Sequence, residues 1–153
     1  MSQFDLPIVI IGAGPVGLAA AAHALARGMN PLIFETGGQA GESIRQWGHV
    51  SMFSPWEYNV DKEAAKLLSA TGWQAPDSDT YPTGRELLDH YLLPLAELPV
   101  IKERLHLNSR VTAVTKVGAD VQKTKGRESA AFLVRVKGPK GEQDIQARAV
   151  IDA

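Results

Sequence analysis

The sequence predicts an α/β fold: a parallel β-sheet with helices on its faces, followed by an antiparallel β-meander in the C-terminal half. Three observations predict it. Leu6–Ile11 and Pro31–Glu35 are short apolar runs of the kind buried on both faces of a parallel sheet. The segment between them, Pro15–Arg27, is mostly Ala and Leu, which are good helix formers. Beyond Leu105, helical spacing gives way to short apolar runs separated by turn residues.

Taken in order, Gly12 breaks the first strand and Pro15 sits near the first turn of the first helix, where its missing N–H costs nothing. Gly28 closes that helix, so the first 35 residues form a strand–helix–strand unit. Gly37–Asn59 is rich in Gly, Ser, Pro and aromatics, has neither period, and reads as one long ordered loop containing Trp47 and Trp56. Loops of that length inside a compact domain are uncommon unless functional. Asp61 is placed to cap a helix running to about Thr71, with Gly72 past its end, and Trp73–Pro82 is a linker. Thr83-Gly84-Arg85-Glu86 has capping-box spacing, and Leu87, Leu88, Tyr91, Leu92 and Leu95 form an apolar helical face behind it. Pro94 should kink or split that helix before Pro99. Strands are expected at Leu105–Asn108, Val111–Val117, Phe132–Lys137 and Ile145–Ala149, with turns at Asp120–Glu128 and Gly138–Gly141. Val150–Ala153 begins a further strand, whose edge could pair with a second copy, so a homo-oligomer is an open expectation.

The 153 residues, 44% of them hydrophobic, fit one domain of ordinary size. Sixteen Lys and Arg against seventeen Asp and Glu leave a net charge of −1, without the basic excess of a nucleic-acid binder. The Lys123, Lys125 and Arg127 cluster reads as a solvated hairpin tip. The absence of cysteine excludes a disulfide framework, a thiolate metal site and a thiol nucleophile in this chain. Asp77 and Asp79 lack the ligand density of a calcium loop, no zinc-type spacing occurs, and no metal is expected. Leu6–Ala22 is uncharged for seventeen residues, but three glycines and Pro15 interrupt it and no basic residue precedes it. It reads as neither membrane span nor signal peptide, and a cytoplasmic protein is expected. His23, His90 and His106 read as packing or surface residues.

Gly12-Ala13-Gly14-Pro15-Val16-Gly17 matches G-x-G-x-x-G. The spacing alone is weak, but here it follows a strand, opens a helix and is answered by Glu35 at the end of the second strand. Each glycine has a physical task in such a turn: Gly12 for the tight bend, Gly14 for room beside a pyrophosphate, Gly17 for close packing of helix on strand. The helix N-terminus offers free N–H groups and the positive end of its dipole to that anion. A carboxylate at Glu35 would accept from ribose hydroxyls and repel a 2′-phosphate, so the ligand expected at this turn is FAD or NAD rather than NADP.

On these residues the chain resembles the N-terminal part of the FAD-binding domain of two-dinucleotide-domain flavoproteins, a Rossmann-like domain, most like flavin-containing and related class B monooxygenases. The resemblance also runs through the Gly37-Gly38…Gly41 loop, Phe53-Ser54-Pro55-Trp56, Pro82–Leu88, Ser109–Val114 and Ala149–Ala153. It implies that Gly12, Gly14, Pro15 and Gly17 meet the pyrophosphate of FAD, that Glu35 binds the adenosine ribose, and that the main chain of Val111 holds the adenine. It further implies that the loop from Gly38 to Ser54 approaches the flavin ring, with Ser43, Arg45, Trp47 and His49 as candidates. This loop departs from the Gly-Gly-x-Trp form of relatives, and no catalytic residue is assigned. The implied parent is an FAD-dependent oxidoreductase, an NADPH- or NADH-using monooxygenase acting on a small organic substrate. Residues 1–153 would be its single FAD-binding domain, an incomplete N-terminal fragment inactive alone. Two alternatives stand beside it: a non-catalytic module binding NAD or FAD, and a fragment of a thioredoxin-reductase-like flavoprotein whose cysteine pair lies in another domain. Glutathione-reductase-like relatives carry their cysteine pair just after the Gly-Gly loop, where this chain has none. A dehydrogenase NAD domain is disfavoured by the long aromatic loop and the meander.

Overall fold

The computed structural model describes residues 5–118 and 130–153. Strand β1 (Ile8–Ile11), helix α1 (Pro15–Ala26) and strand β2 (Pro31–Phe34) form the expected βαβ unit, with β1 and β2 parallel and Ile8 opposite Pro31. Helices α2 (Glu42–Gln46), α3 (Trp56–Asn59) and α4 (Lys62–Ser69) follow. Next come α5 (Gly84–Leu87), a π-helical turn at Leu88–Leu92, α6 (Leu93–Glu97) and α7 (Pro99–Lys102). Strands β3 (Leu105–His106), β4 (Arg110–Lys116), β5 (Phe132–Gly138), β6 (Gly141–Ala147) and β7 (Ala149–Asp152) complete the chain.

Two sheets result. The first is four-stranded, in the order β3-β2-β1-β7, and each of its pairings is parallel. The second is the antiparallel meander β4-β5-β6. The apolar tail anticipated as an unsupported strand is β7, seated against β1 with Ile8 opposite Ala149 and Ile11 opposite Asp152.

Strand β1 shows why its sequence carries no polar alternation. Ile8 and Ile10 face a core built with Ile33 of β2 and with Leu18, Ala21, Leu92, Leu95 and Ile101 from the helical side. Val9 faces a second core with Phe34 and the meander residues Val134, Val136 and Ala147. Successive strand side chains point to opposite faces, so a strand sandwiched between helices and meander must be apolar at every position. Burying each such side chain contributes roughly 1.5–3 kcal/mol.

Between the sheets' contributions the chain departs from expectation in three places. The segment read as one loop contains α2 and α3, which are too short to show a helical period and are held by contacts from elsewhere in the chain. As expected, the helix is divided near Pro94, which lies in the first turn of α6 behind a π turn, and the His90 carbonyl four residues before it accepts instead from the Trp73 indole N–H at 2.8 Å. Pro99 does not end the helical layer but opens α7. Strand β6 begins at Gly141 rather than at Ile145, because Glu142, Gln143 and Asp144 are exposed and give no apolar signal. The Asp61 cap and the Thr83–Glu86 capping box are both formed: Asp61 accepts from the N–H groups of Glu63 and Ala64, and Thr83 and Glu86 bond reciprocally. The expected turn at Asp120–Glu128 and the basic cluster at 123–127 lie outside the described residues.

Candidate dinucleotide site

The site is built where β1 ends. Gly12 has φ +99°, a conformation L side chains rarely adopt, and its N–H donates to the carbonyl of Phe34 at 2.8 Å. A Cβ on Gly12 would lie 2.7 Å from the carbonyl oxygen of Ala153, so the turn is pressed against the end of β7. A Cβ on Gly17 would lie 2.0 Å from the carbonyl oxygen of Gly12, which makes this the contact through which α1 rests on the turn. Gly14 is the opposite case. It is the extended N-cap of α1, and an added Cβ there would meet nothing within 4 Å.

That open face lies in front of an unguarded helix end. No side chain caps α1, no acidic residue occupies its first turn, and Pro15 takes the position that needs no N–H partner. The first N–H groups of a helix have no intrahelical acceptor, and the helix dipole places partial positive charge there. Such an end, opening onto space vacated by a glycine side chain, suits an anion.

Glu35 ties the neighbouring segments to this turn. Its Oε2 accepts from the N–H of Ala13 at 2.9 Å and its Oε1 from the N–H of Gly37 at 2.7 Å. The Gly41 N–H donates to the Ala13 carbonyl at 3.0 Å, and the Ser109 N–H to the Glu35 carbonyl at 2.8 Å. Turn, carboxylate, loop and the entry to β4 are thus one hydrogen-bonded assembly. A carboxylate has about four acceptor positions, so two backbone donors leave Glu35 capacity for hydroxyl groups as well. Val111 lies at the start of β4 opposite Val136, just beyond Ser109, where the register of the meander shifts.

The loop candidates separate into two kinds. Arg45 and His49 are exposed and line one hollow together with Gly48, Thr83, Arg85 and Glu86. Ser43 is exposed on α2 and is not part of that lining, and Trp47 packs inward, where a Cβ on Gly84 would meet its ring at 2.6 Å. Trp56 is buried in the helical core. Sequence reasoning missed Arg85, whose place inside a capping box makes it look like an ordinary outward helix residue. Its only signal was the neighbouring Gly84, a poor helix former in a helical first turn.

The histidines set aside as structural have structural partners or exposed positions. His23 Nε2 lies 2.8 Å from Oδ2 of Asp61, joining α1 to the cap of α4. Burial works against the Asp61 carboxylate, yet the hydrogen bonds from Ala64, His23 and Glu63 outweigh it and hold its pKa below the ordinary value. His106 stacks on Phe34 with ring centroids 4.9 Å apart. Among the described residues no cluster of three His, Asp or Glu is placed to hold a metal ion, and no helix is long and apolar enough to cross a membrane.

Known proteins share this fold. The family model for pyridine nucleotide-disulphide oxidoreductases matches residues 9–138. The bacillithiol disulfide reductase Bdr from Bacillus cereus superposes with a TM-score of 0.69 at 25% identity, over 96% of this chain and 39% of that one. A steroid monooxygenase in its oxidized, NADP-bound form gives 0.69 at 21% identity, over 97% of this chain and 26% of the other. OTEMO in an FAD-bound form gives 0.66 at 21% identity, over 97% and 25%. This chain therefore spans between a quarter and two fifths of the length of those structures. No curated protein sequence matches it.

Proposed function

The chain belongs to the pyridine nucleotide-disulphide oxidoreductase family, and from that premise we propose that it supplies the FAD-binding part of an FAD-dependent oxidoreductase reduced by NADPH or NADH. One observation carries the reading. Gly14 presents an open face before the uncapped N-terminus of α1, while Gly12 and Gly17 are locked by contacts a Cβ would break. A turn that only reversed the chain would need neither the open face nor the free N–H groups.

In this reading Gly12, Gly14, Pro15 and Gly17 receive the pyrophosphate, whose charge is met by N–H groups and helix dipole rather than by a cation. Glu35 accepts from the ribose hydroxyls, and its negative charge disfavours a 2′-phosphate at this turn. The main chain at Val111 borders the adenine, and the segment carrying Ser43, Arg45, Trp47 and His49 borders the flavin ring. When bound, FAD supplies hydride acceptance from the nicotinamide and passes electrons on, and the protein contributes binding, orientation and exclusion of water. The finer assignment is monooxygenase chemistry on a small organic substrate. The likeness to the steroid monooxygenase supports it. The likeness to the bacillithiol disulfide reductase supports a second reading, disulfide reduction. With no cysteine in residues 1–153, any thiol pair for that reaction would have to come from outside them.

The test is the visible absorption spectrum of the purified chain after addition of FAD and desalting. Flavin bands retained near equimolar ratio in the native chain, and lost in Gly14→Val, support the reading. A colourless chain that retains NAD instead would replace it with a plain dinucleotide-binding module.

A further inference from the structure

A second gathering of charge lies away from the glycine turn. Residues 47–52 run antiparallel to residues 82–85, with a bridge between Ser51 and Thr83. The N–H of Met52 donates to the Pro82 carbonyl at 2.8 Å, that of Gly84 to Val50 at 2.9 Å, and that of Arg85 to Gly48 at 2.8 Å. Two buried glycines allow the approach: a Cβ on Gly84 would lie 2.6 Å from the Trp47 ring and 3.1 Å from the Gly48 Cα. This ladder fixes the roots of His49 and Arg85, which with Arg45 of α2 surround one open hollow of about 450 Å³, completed by Gly48, Thr83 and Glu86.

The charges in that hollow are unevenly used. Glu86 is engaged by its cap, its Oε2 accepting from the Thr83 N–H at 2.7 Å and the Thr83 hydroxyl at 2.9 Å. Exposed Arg45 has one partner, the half-buried Glu42, at 3.7 Å, a separation at which such pairs are weak. The side chains of Arg85 and His49 have neither a hydrogen bond nor an ion pair with any described residue. Two arginines from different elements therefore line one concave surface, and the side chain of one of them is uncommitted.

We infer that this hollow binds an oxyanion, a phosphate or carboxylate group of a small-molecule ligand, through Arg45 and Arg85 with His49 as a third donor. Guanidinium groups pair bidentately with either oxyanion, and a fixed backbone lowers the ordering cost of doing so. None of the six lining residues belongs to the glycine turn or is Glu35, while Arg45 and His49 are shared with the segment proposed to border the flavin ring, so the site is tested on the flavin-free chain.

The experiment is a titration of the chain, first with inorganic phosphate and separately with acetate, followed by NMR at the Arg45 and Arg85 Nε–H groups and the His49 ring. Saturable shifts at all three are expected, weakened about tenfold in Arg85→Gln and in Arg45→Gln and only partly restored in Arg85→Lys, which keeps the charge but not the bidentate fork. Amide signals of the 47–52 and 82–85 ladder should not move in the variants, which separates lost binding from lost structure. Tighter binding of phosphate assigns a phosphoester ligand, and tighter binding of acetate a carboxylate. Shifts confined to Gly12–Gly17, a drift that never saturates, or unchanged affinity in both glutamine variants would overturn the inference.

Discussion

Gly14 and Gly17 stand three residues apart in one motif, and the structure gives them separable jobs that two alanine substitutions can pull apart. At Gly17 a new Cβ would sit 2.0 Å from the Gly12 carbonyl oxygen and 3.0 Å from its carbon. The obstacle is backbone on both sides, so no rotamer change relieves it, and α1 must move off the turn by about 1.4 Å to reach an ordinary contact. Overpacking of that kind costs roughly 1–3 kcal/mol, with the rigid case at the upper end. Replacing glycine by alanine in a helix returns about 1 kcal/mol. The expected net loss is about 2 kcal/mol, a substantial share of the roughly 5–15 kcal/mol that stabilises a domain. For a chain of this size that lowers Tm by about 4–8 °C. Gly14→Ala adds a methyl group to open space in a backbone conformation that alanine accepts, φ −81° and ψ −169°. Its cost is confined to alanine's weaker capping, under about 1 kcal/mol, but the methyl occupies the face proposed for the pyrophosphate. Urea unfolding followed by circular dichroism, beside FAD retention followed by visible absorption, reads both effects. Gly17→Ala should lose stability, and Gly14→Ala should lose flavin with stability nearly intact. A Gly17→Ala chain as stable as the native one, or a Gly14→Ala chain that keeps FAD unchanged, would refute the division.

Glu35→Ala leaves the N–H groups of Ala13 and Gly37 without their carboxylate acceptor, at a cost of about 1–3 kcal/mol, and FAD retention should fall further than in Glu35→Gln, which keeps one acceptor oxygen. Asp61 has a folded-state pKa below its ordinary 3.8. Its contribution is therefore present above that value and lost as pH falls through the lower folded one. Acid unfolding of Asp61→Asn should accordingly show a shallower loss of stability below about pH 4 than the native chain. Gly84→Ala drives a methyl group into the Trp47 ring, 2.6 Å away, so the tryptophan emission should shift to longer wavelength and the phosphate-dependent shifts at His49 should weaken together.

The βαβ unit and the meander were legible because their signals are local. Apolar runs broken by Gly12 and Gly28 define β1, α1 and β2, and Val134 and Val136 inward with Arg135 and Lys137 outward define β5. Local signals failed where burial is slight or elements are short. Strand β6 keeps only Ile145 and Ala147 off the surface, and four- or five-residue helices such as α2 and α3 complete barely one turn, too little for a period of 3.6 to repeat. Their positions come from residues distant in sequence, as when Thr80 and Ser78 accept from the N–H groups of Trp56 and Glu57 at the start of α3.

The glycines show where reading the site from sequence succeeds and where it stops. Gly12, Gly14 and Gly17 could be understood together because the thing each one touches, or leaves free, lies within the same motif: the Gly12 carbonyl beneath Gly17, the helix end behind Gly14. Gly48 and Gly84 perform the same service, removing a Cβ so that two backbones can meet, but their partners lie across the fold and their spacing follows no pattern. In the sequence Gly84 is a flaw in a helix start and Gly48 a loop residue. In the structure they are why Arg85 stands beside His49. A site whose geometry depends on one segment is visible as a motif, whereas a site made by two segments pressed together shows only as glycines without an evident local task.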